Sequence, residues 1–531
     1  MNDKKIVAVL CDHGCRNGSK IKYDELKTNL KKSEVIEDFL LVNKACDSGV
    51  EFLDAYKGRK ILFGGCSLLE ERGIYSKIKE RLGLKNGEFR SFDVKADLYD
   101  LYPDKVNLEE LLVCKILSMG TLLYHAEPYE EERIKPAEGI LVYGDGITAL
   151  RTARALAEED ISVEVLETGE QFLSPGLFSQ HFGRPDQRGL SSVVSADERR
   201  KSERNRVAGF KNVRFLPSDA FLSFETVEDG FVFTFKSGEK RKFGTVVIAP
   251  EREEEQSRET GALNLTDLYR KIVCGEPLKG EVVFLLDYAA DTSPEVFKDV
   301  LLAGKYIKRR FASEVRILMK NAKVSVSGAQ ELYDECREQG IIFFKYLEDL
   351  TLKNNYGDFE IEGTDLYTGD KFLIKEPDIL VIPGRSILSP RSKNFAEALE
   401  LLTISDRYPQ PDSLWRLPNE TNRPGVFVAY PTGDNSIASL LFSVRARLST
   451  AGIAVNEHIP VVDEDKCVYC LTCVRVCPFK AMTTDSESRV AKVLRTVCQG
   501  CGSCAAECPA EAIQLRNLTG ESLYQGIRAL G

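Results

Sequence analysis

The chain has 531 residues, 43% of them apolar and 29% charged, with a formal net charge of −10. That length exceeds one hydrophobic core, so about three or four domains are expected. The acidic balance argues against nucleic acid as a partner, because phosphate binding needs a basic face. No run reaches the roughly 18 apolar residues that cross a bilayer. Fifteen cysteines with no secretory leader imply a reducing compartment, the cytoplasm, where thiols serve metals or packing rather than disulfides. Neither a G-x-S-x-G nor an H-E-x-x-H constellation is present.

Residues 1–135 alternate short apolar runs with helical stretches, an α/β texture. Ile6–Leu10 and Lys60–Gly65 read as strands, Asn107–His125 as a long amphipathic helix, and the acidic Glu127–Glu132 as a linker. Cys11, Cys15, Cys46 and Cys66 each fall near a strand end or in a loop. Such loops on one sheet edge can converge on a further iron–sulfur cluster. The spacings match no compact motif, and small buried cysteines are the other reading. Cys114 lies in an apolar helical stretch and reads as core.

Residues 136–275 open with the apolar run Ile140–Tyr143, followed by Gly144-Asp145-Gly146-Ile147-Thr148-Ala149 and a helix over Thr148–Glu159. This is G-x-G-x-x-A between a strand and a helix. Gly144 allows the tight turn, Gly146 lets a pyrophosphate approach the helix N-terminus, and Ala149 takes the small-residue place where helix meets strand. The next strand, Val163–Leu166, ends at Glu167, where an acid can bind a ribose hydroxyl. Gly144, Asp145, Gly146, Ile147, Ala149 and Glu167 are therefore the candidate cofactor contacts. The motif does not separate FAD from NAD. A long basic insertion follows over 180–209, and its run Arg199–Arg206 reads as a solvated helix face.

Residues 276–375 start with another buried strand, Glu281–Leu286, but continue Asp287-Tyr288-Ala289-Ala290-Asp291 with no glycine trio. A nicotinamide there would lack the usual backbone approach. A helix near Pro294–Arg310 and a strand at Glu314–Met319 come next. Residues 376–456, through Asp378–Ile382 and Gly425–Ala429, are expected to return the chain to the glycine-turn domain.

Residues 457–516 hold eight cysteines in two copies of C-x₂-C-x₂-C-x₃-C-P: Cys467, Cys470, Cys473 and Cys477, then Cys498, Cys501, Cys504 and Cys508. This is the ligand run of bacterial two-cluster ferredoxins. Three thiolates of one loop hold one 4Fe-4S cube, and the fourth, expected at the start of a helix, reaches the other cube. The expected sets are Cys467, Cys470, Cys473 and Cys508 on one cluster, and Cys498, Cys501, Cys504 and Cys477 on the other. Structural zinc also uses C-x₂-C pairs, but it leaves the third C-x₂-C step and the duplication unexplained. Residues 517–531 are left as a C-terminal tail.

Taken in order, these landmarks resemble the HdrA-like family, the flavin-carrying subunits of heterodisulfide reductase and its relatives, over nearly the whole length. Val7–Cys15 looks like that family's opening strand and cysteine-rich turn. Ala45–Gly49 and Gly65–Ser67 look like its next two landmarks. The Gly144 turn matches its FAD site, and Arg423–Ala429, ending in Ala429, is similar to its second flavin-contacting segment. The resemblance implies an α/β, thioredoxin-reductase-like two-lobed flavoprotein fold with an N-terminal α/β domain and a C-terminal bacterial-type two-4Fe-4S ferredoxin domain. It also implies an FAD- and iron–sulfur-containing electron-transfer role within a larger complex, in some relatives with electron bifurcation. The implied partners are ferredoxin and other subunits of a redox complex (HdrB/HdrC-like or MvhD-like). The residues alone also admit a stand-alone NAD(P)H-dependent iron–sulfur reductase or a non-flavin scaffold carrying a two-cluster wire. The chain departs from the family in lacking a ferredoxin-type insertion before the glycine turn. It has Thr292–Lys298 without cysteine, Asp145 in the middle of the turn, and Ala249-Pro250-Glu251 where A-T-G is usual. An anionic Asp145 near a pyrophosphate is expected to repel it.

Overall fold

The structure is a computed structural model. It describes every residue except 1–4, 13–22, 46–48, 66–72, 95–106, 170–195, 218–220, 251, 256–258, 289, 348–349, 356, 404–408, 412–415, 418, 431–433, 450, 486 and 530–531. The chain divides into two compact units, 1–134 with 453–531, and 135–452.

The first unit holds a four-stranded sheet in the order Ile36–Asn43, Ile6–Asp12, Lys60–Gly65, Phe89–Asp93. All its neighbours are parallel. Residues 60–65 are buried throughout, as a central parallel strand covered on both faces requires. The helix Leu108–His125 packs on this sheet, and Asn107 caps its N-terminus by accepting from the Glu110 amide. At its C-terminal end the buried Lys60 ammonium donates to the carbonyls of Leu123 and Tyr124 at 2.8 and 2.9 Å, satisfying groups the helix leaves orphaned.

The segment Glu127–Glu132, expected as a linker, is tied into this unit. Tyr129 donates to Glu457 at 3.0 Å, and Arg133–Ile134 pairs with Ile453–Ala454. Acidic composition suggests solvent, but Glu132 meets Arg495 through its side chain and the Val455 amide through its carbonyl. Likewise the stretch 517–531 carries a helix, Gly520–Arg528, and a Cβ added at its Gly526 would stand 3.4 Å from the Leu122 side chain.

The second unit has two parallel sheets. The first runs Val426–Val428, Thr245–Ile248, Ile140–Tyr143, Val163–Leu166, Val213–Leu216. The second runs Ile342–Lys345, Glu314–Met319, Glu281–Leu285, Ile379–Val381. Each lobe also carries a three-stranded antiparallel sheet. A short ribbon, Arg252–Glu254 against Ser386–Leu388, links the passage out of the first lobe with the passage back. Val426–Val428 joins the glycine-turn sheet beside Thr245–Ile248, but Ile379–Val381 stays in the second sheet beside Val282–Phe284. An apolar run states that a strand is buried and not which parallel sheet buries it.

Candidate functional site: a paired thiol centre and a glycine turn

The cysteine module is built by duplication. In its first half Tyr469, Leu471 and Lys480 adopt left-handed backbone conformations, and in its second half Gly500, Gly502 and Glu511 do the same at matching positions. Four of these six are not glycine, and each such residue costs energy that only a demanding local purpose sustains. Here the curled backbone aims amides at sulfur. Ala481 donates to Cys477 Sγ at 3.2 Å, Ala512 to Cys508 Sγ at 3.3 Å, and Gly500 to Cys498 Sγ at 3.4 Å. Such hydrogen bonds to sulfur tune a bound cluster. Cys473 lies inside a short helix, Thr472–Val476, and Cys477 closes it. The fourth cysteine therefore ends a helix rather than starting one, because the next turn is taken by Pro478, which cannot donate.

Two cavities result. One, of about 370 Å³ reckoned out to solvent, is lined by Cys467, Cys470, Cys473 and Cys508. The other, of about 320 Å³, is lined by Cys477, Cys498, Cys501 and Cys504. Among the described residues no three His, Cys, Asp or Glu side chains form a group suited to a single metal ion. The thiols stand around a volume instead, a donor set that suits a multi-iron cube with one cysteine per corner. Burial pushes the Cys504 thiol up to about 11, reinforced by Cys498, Cys477 and Cys501. Burial also raises Cys473, with Cys470, Cys467 and Cys508 adding to it. The exposed Cys470 is lowered instead, first by its Thr472 hydroxyl contact. The two groups of mutually influencing thiols are the groups that line the two cavities.

In the second unit the glycine turn has the backbone a dinucleotide needs. Gly144 has φ +127°, and a Cβ there would stand 2.5 Å from the Ala249 carbonyl oxygen. Gly146 is the extended N-cap of the helix Ile147–Ala157, and Ala149 is fully buried under it. The amides at this N-terminus form an anion-accepting end. Ala429 follows the edge strand and donates its amide to the Ile248 carbonyl at 2.8 Å.

Two side chains differ from expectation. Asp145 is only 4% exposed, and Thr168 Oγ1 donates to it at 2.6 Å, the Gly169 amide at 3.2 Å and Arg200 at 3.4 Å. It is a bound strut and not a bare charge. Glu167 is gripped by Arg204 at 2.6 and 3.1 Å through both carboxylate oxygens, which raises the arginine further, and Arg204 also lies 4.3 Å over the Phe215 ring. Both arginines come from the helix Ala196–Ala208. The run read as a solvated face therefore turns one side inward. Sequence reasoning passed over Arg200 and Arg204. Their spacing of one helical turn marks a shared helix face in the sequence, but not the acids that face meets.

The corresponding corner of the second lobe is closed by its own residues. Buried Asp287, at φ +58°, accepts from the Thr292 amide at 2.8 Å and the Lys320 amide at 3.0 Å, while Thr292 Oγ1 accepts from the Asp287 amide at 3.0 Å. Of the four N-terminal cysteines considered for a further cluster only Cys11 is described, accepting from the Ala45 amide at 3.4 Å. Cys15, Cys46 and Cys66 lie outside the described residues.

Comparison with known proteins gives the class of this chain in part. Residues 459–509 match the 4Fe-4S dicluster domain family. The chain therefore carries an iron–sulfur, ferredoxin-type domain of the electron-transfer kind. Over 60 residues it is 44% identical to the archaeal-type glutamate synthase [NADPH] of Thermotoga maritima, covering 11% of this chain and 12% of that one. Over 56 residues it is 38% identical to pyruvate synthase subunit PorD of Methanothermobacter marburgensis, covering 10% and 63%. The chain thus spans about an eighth of the first of these relatives and under two thirds of the second. Among solved structures, a T. acidophilum thioredoxin reductase aligns over 58% of this chain and 99% of its own at 16% identity, with a TM-score of 0.37. The α/β assignment rests on the sheet topology described above. Among the described residues no helix is long and apolar enough to cross a membrane.

Proposed function

We propose that the protein is an iron–sulfur and FAD-containing electron-transfer component of a multisubunit oxidoreductase, similar to the HdrA-like subunits of heterodisulfide reductase. The single observation that carries this reading is the sorting of eight thiols around two cavities in crossed sets. Cys467, Cys470, Cys473 and Cys508 would hold one 4Fe-4S cluster, and Cys498, Cys501, Cys504 and Cys477 the other. Gly144, Gly146, Ile147 and Ala149 would take a dinucleotide diphosphate on the helix N-terminus, with Glu167 toward a ribose. Glu167 keeps acceptor capacity for this, because a carboxylate has about four lone-pair sites and Arg204 uses two. When bound, a flavin would supply chemistry that takes up electrons in pairs and passes them on singly, and a cluster would carry them one at a time. The protein's part is to hold the thiolates, shield them beneath Met482, Ala491 and Ile513, and leave Cys470 and Cys501 at the surface where a partner can approach. Ferredoxin or HdrB/HdrC-like or MvhD-like subunits are the partners this predicts. The reading is of a relay, since the cysteine-free Thr292–Lys298 and the missing insertion leave fewer cluster stations than the family usually carries.

Anaerobic purification, followed by iron, sulfide and flavin analysis, tests it. Two cubes and one FAD per chain are expected. Cys508→Ser should deplete the cluster of the first motif, and Cys477→Ser that of the second, each removing one of two paramagnetic signals after reduction. Zinc in place of iron, or each serine depleting its own motif's cluster, would contradict the assignment. Released NAD(H) with no flavin absorbance would favour the NAD(P)H-dependent reductase.

A further inference from the structure

A glycine turn exists to bring backbone amides close to a diphosphate, and any anion in the turn works against it. This chain places a carboxylate, Asp145, in the middle of that turn and buries it. A buried carboxylate without a counter-charge is costly, and a diphosphate arriving beside it would raise that cost. The structure supplies the compensation from a separate element. Arg200 of the helix Ala196–Ala208 reaches Asp145 Oδ2 at 3.4 Å, while Thr168 Oγ1 donates to Oδ1 at 2.6 Å and the Gly169 amide to Oδ2 at 3.2 Å. One turn further along the same helix, Arg204 holds both oxygens of Glu167. The helix is itself anchored to the nucleotide lobe: Glu203 beside these arginines is buried and pairs with Arg154 of the glycine-turn helix.

We propose that Arg200 and Arg204 are positioning residues of the dinucleotide site: Arg200 neutralises Asp145 so that the G-D-G turn admits a diphosphate, and Arg204 fixes the Glu167 carboxylate for the ribose. This rests on the FAD reading above. Arg200 acts through Asp145 and does not itself touch the nucleotide, so its effect must vanish when Asp145 is neutral.

The test measures FAD dissociation constants by flavin fluorescence on the full-length, anaerobically prepared, cluster-loaded protein after flavin removal. Arg200→Ala should weaken FAD at least about tenfold, the scale of a charge effect at a largely desolvated site. Asp145→Asn/Arg200→Ala should bind as tightly as Asp145→Asn alone, and Asp145→Gly/Arg200→Ala should recover most of the loss. Arg204→Ala should weaken FAD, and Arg204→Lys, which cannot grip both oxygens, should recover only a small part. Iron content and far-UV circular dichroism verify folding, and the Asp145→Asn pair, which buries no lone charge, decides if Arg200→Ala does not fold. Equal affinity of wild type and Arg200→Ala overturns the proposal and leaves the FAD reading intact. A further loss on adding Arg200→Ala to Asp145→Asn overturns it too, because Arg200 would then contact the nucleotide directly. Wild type that takes up no FAD overturns the site reading, and this inference with it.

Discussion

The cysteine module and the glycine-turn lobe place their candidate site residues in opposite ways. In the module, three of the eight buried core residues are the ligand candidates Cys473, Cys477 and Cys504, and three further thiols pack against them. In the lobe, Ile140, Val142, Leu150, Leu156, Val163, Val165 and Val247 form an aliphatic core that contains no site residue except Ala149 and Ala429. A module of about 60 residues has little surface to bury on its own, so its candidate ligands also serve as core. A lobe with its own core can keep its frame while the residues around the turn change. The second parallel lobe illustrates that freedom: it retains a strand and helix, and fills the corner with Asp287.

The largest expected effect follows from this difference. Anaerobic removal of iron should unfold the module and leave the lobe standing, because a core built in part from thiol ligands couples metal binding to folding. Hydrogen exchange read by mass spectrometry should show loss of protection at Ala481 and Ala512, whose amides bond to sulfur, while Val246–Ala249 stay protected. Protection that survives in the module after iron removal would break the comparison.

An intermediate effect belongs to the lobe. Gly144→Ala places a Cβ 2.5 Å from the Ala249 carbonyl oxygen at φ +127°. The backbone conformation alone costs roughly 1–3 kcal/mol for a residue other than glycine. Thermal melting should therefore shift down for the lobe and leave the iron content untouched. A variant that melts like wild type would show that the turn relaxes freely.

How much could be read in advance divides along the same line. The grouping of the eight thiols around two cavities was legible in their repeated spacing, since a cluster demands both a ligand type and a spacing. The backbone of the glycine turn was legible for a similar reason: only glycine takes Gly144's conformation against Ala249. The partners of Asp145 and Glu167 were not, because charge patterning gives helix faces but no tertiary partner, and Arg200 and Arg204 lie 55 and 37 positions away from the acids they hold. The strand Ile379–Val381 was assigned to the wrong sheet because two parallel sheets offer a buried strand the same environment. The closure at Asp287 was half visible: the missing glycines were plain, and the Asp287–Thr292 exchange that replaces them was not.

The smallest effect lies where the module meets the rest of its unit. His458 Nε2 stands 3.2 Å from Glu457, its Nδ1 is 3.1 Å from the Arg516 carbonyl oxygen, and Tyr129 donates to the far oxygen of Glu457. Glu457 raises His458 above its ordinary 6.5, with burial and Arg90 opposing. In return His458 lowers Glu457 from 4.5 to about 2. The raised histidine adds stability that is complete below pH 6.5 and is lost as pH climbs through its folded pKa. The depressed glutamate adds stability that is complete above pH 4.5 and is lost as pH falls toward 2. The pair is therefore worth most between these limits. Both side chains are partly exposed, so its value should be roughly 0.2–1 kcal/mol. His458→Asn should cost that amount in denaturant unfolding at about pH 5.5 and almost nothing at about pH 9. A cost that does not change with pH would mean that the ring matters for packing alone, and that the charge pair at this junction contributes nothing to holding the module in its unit.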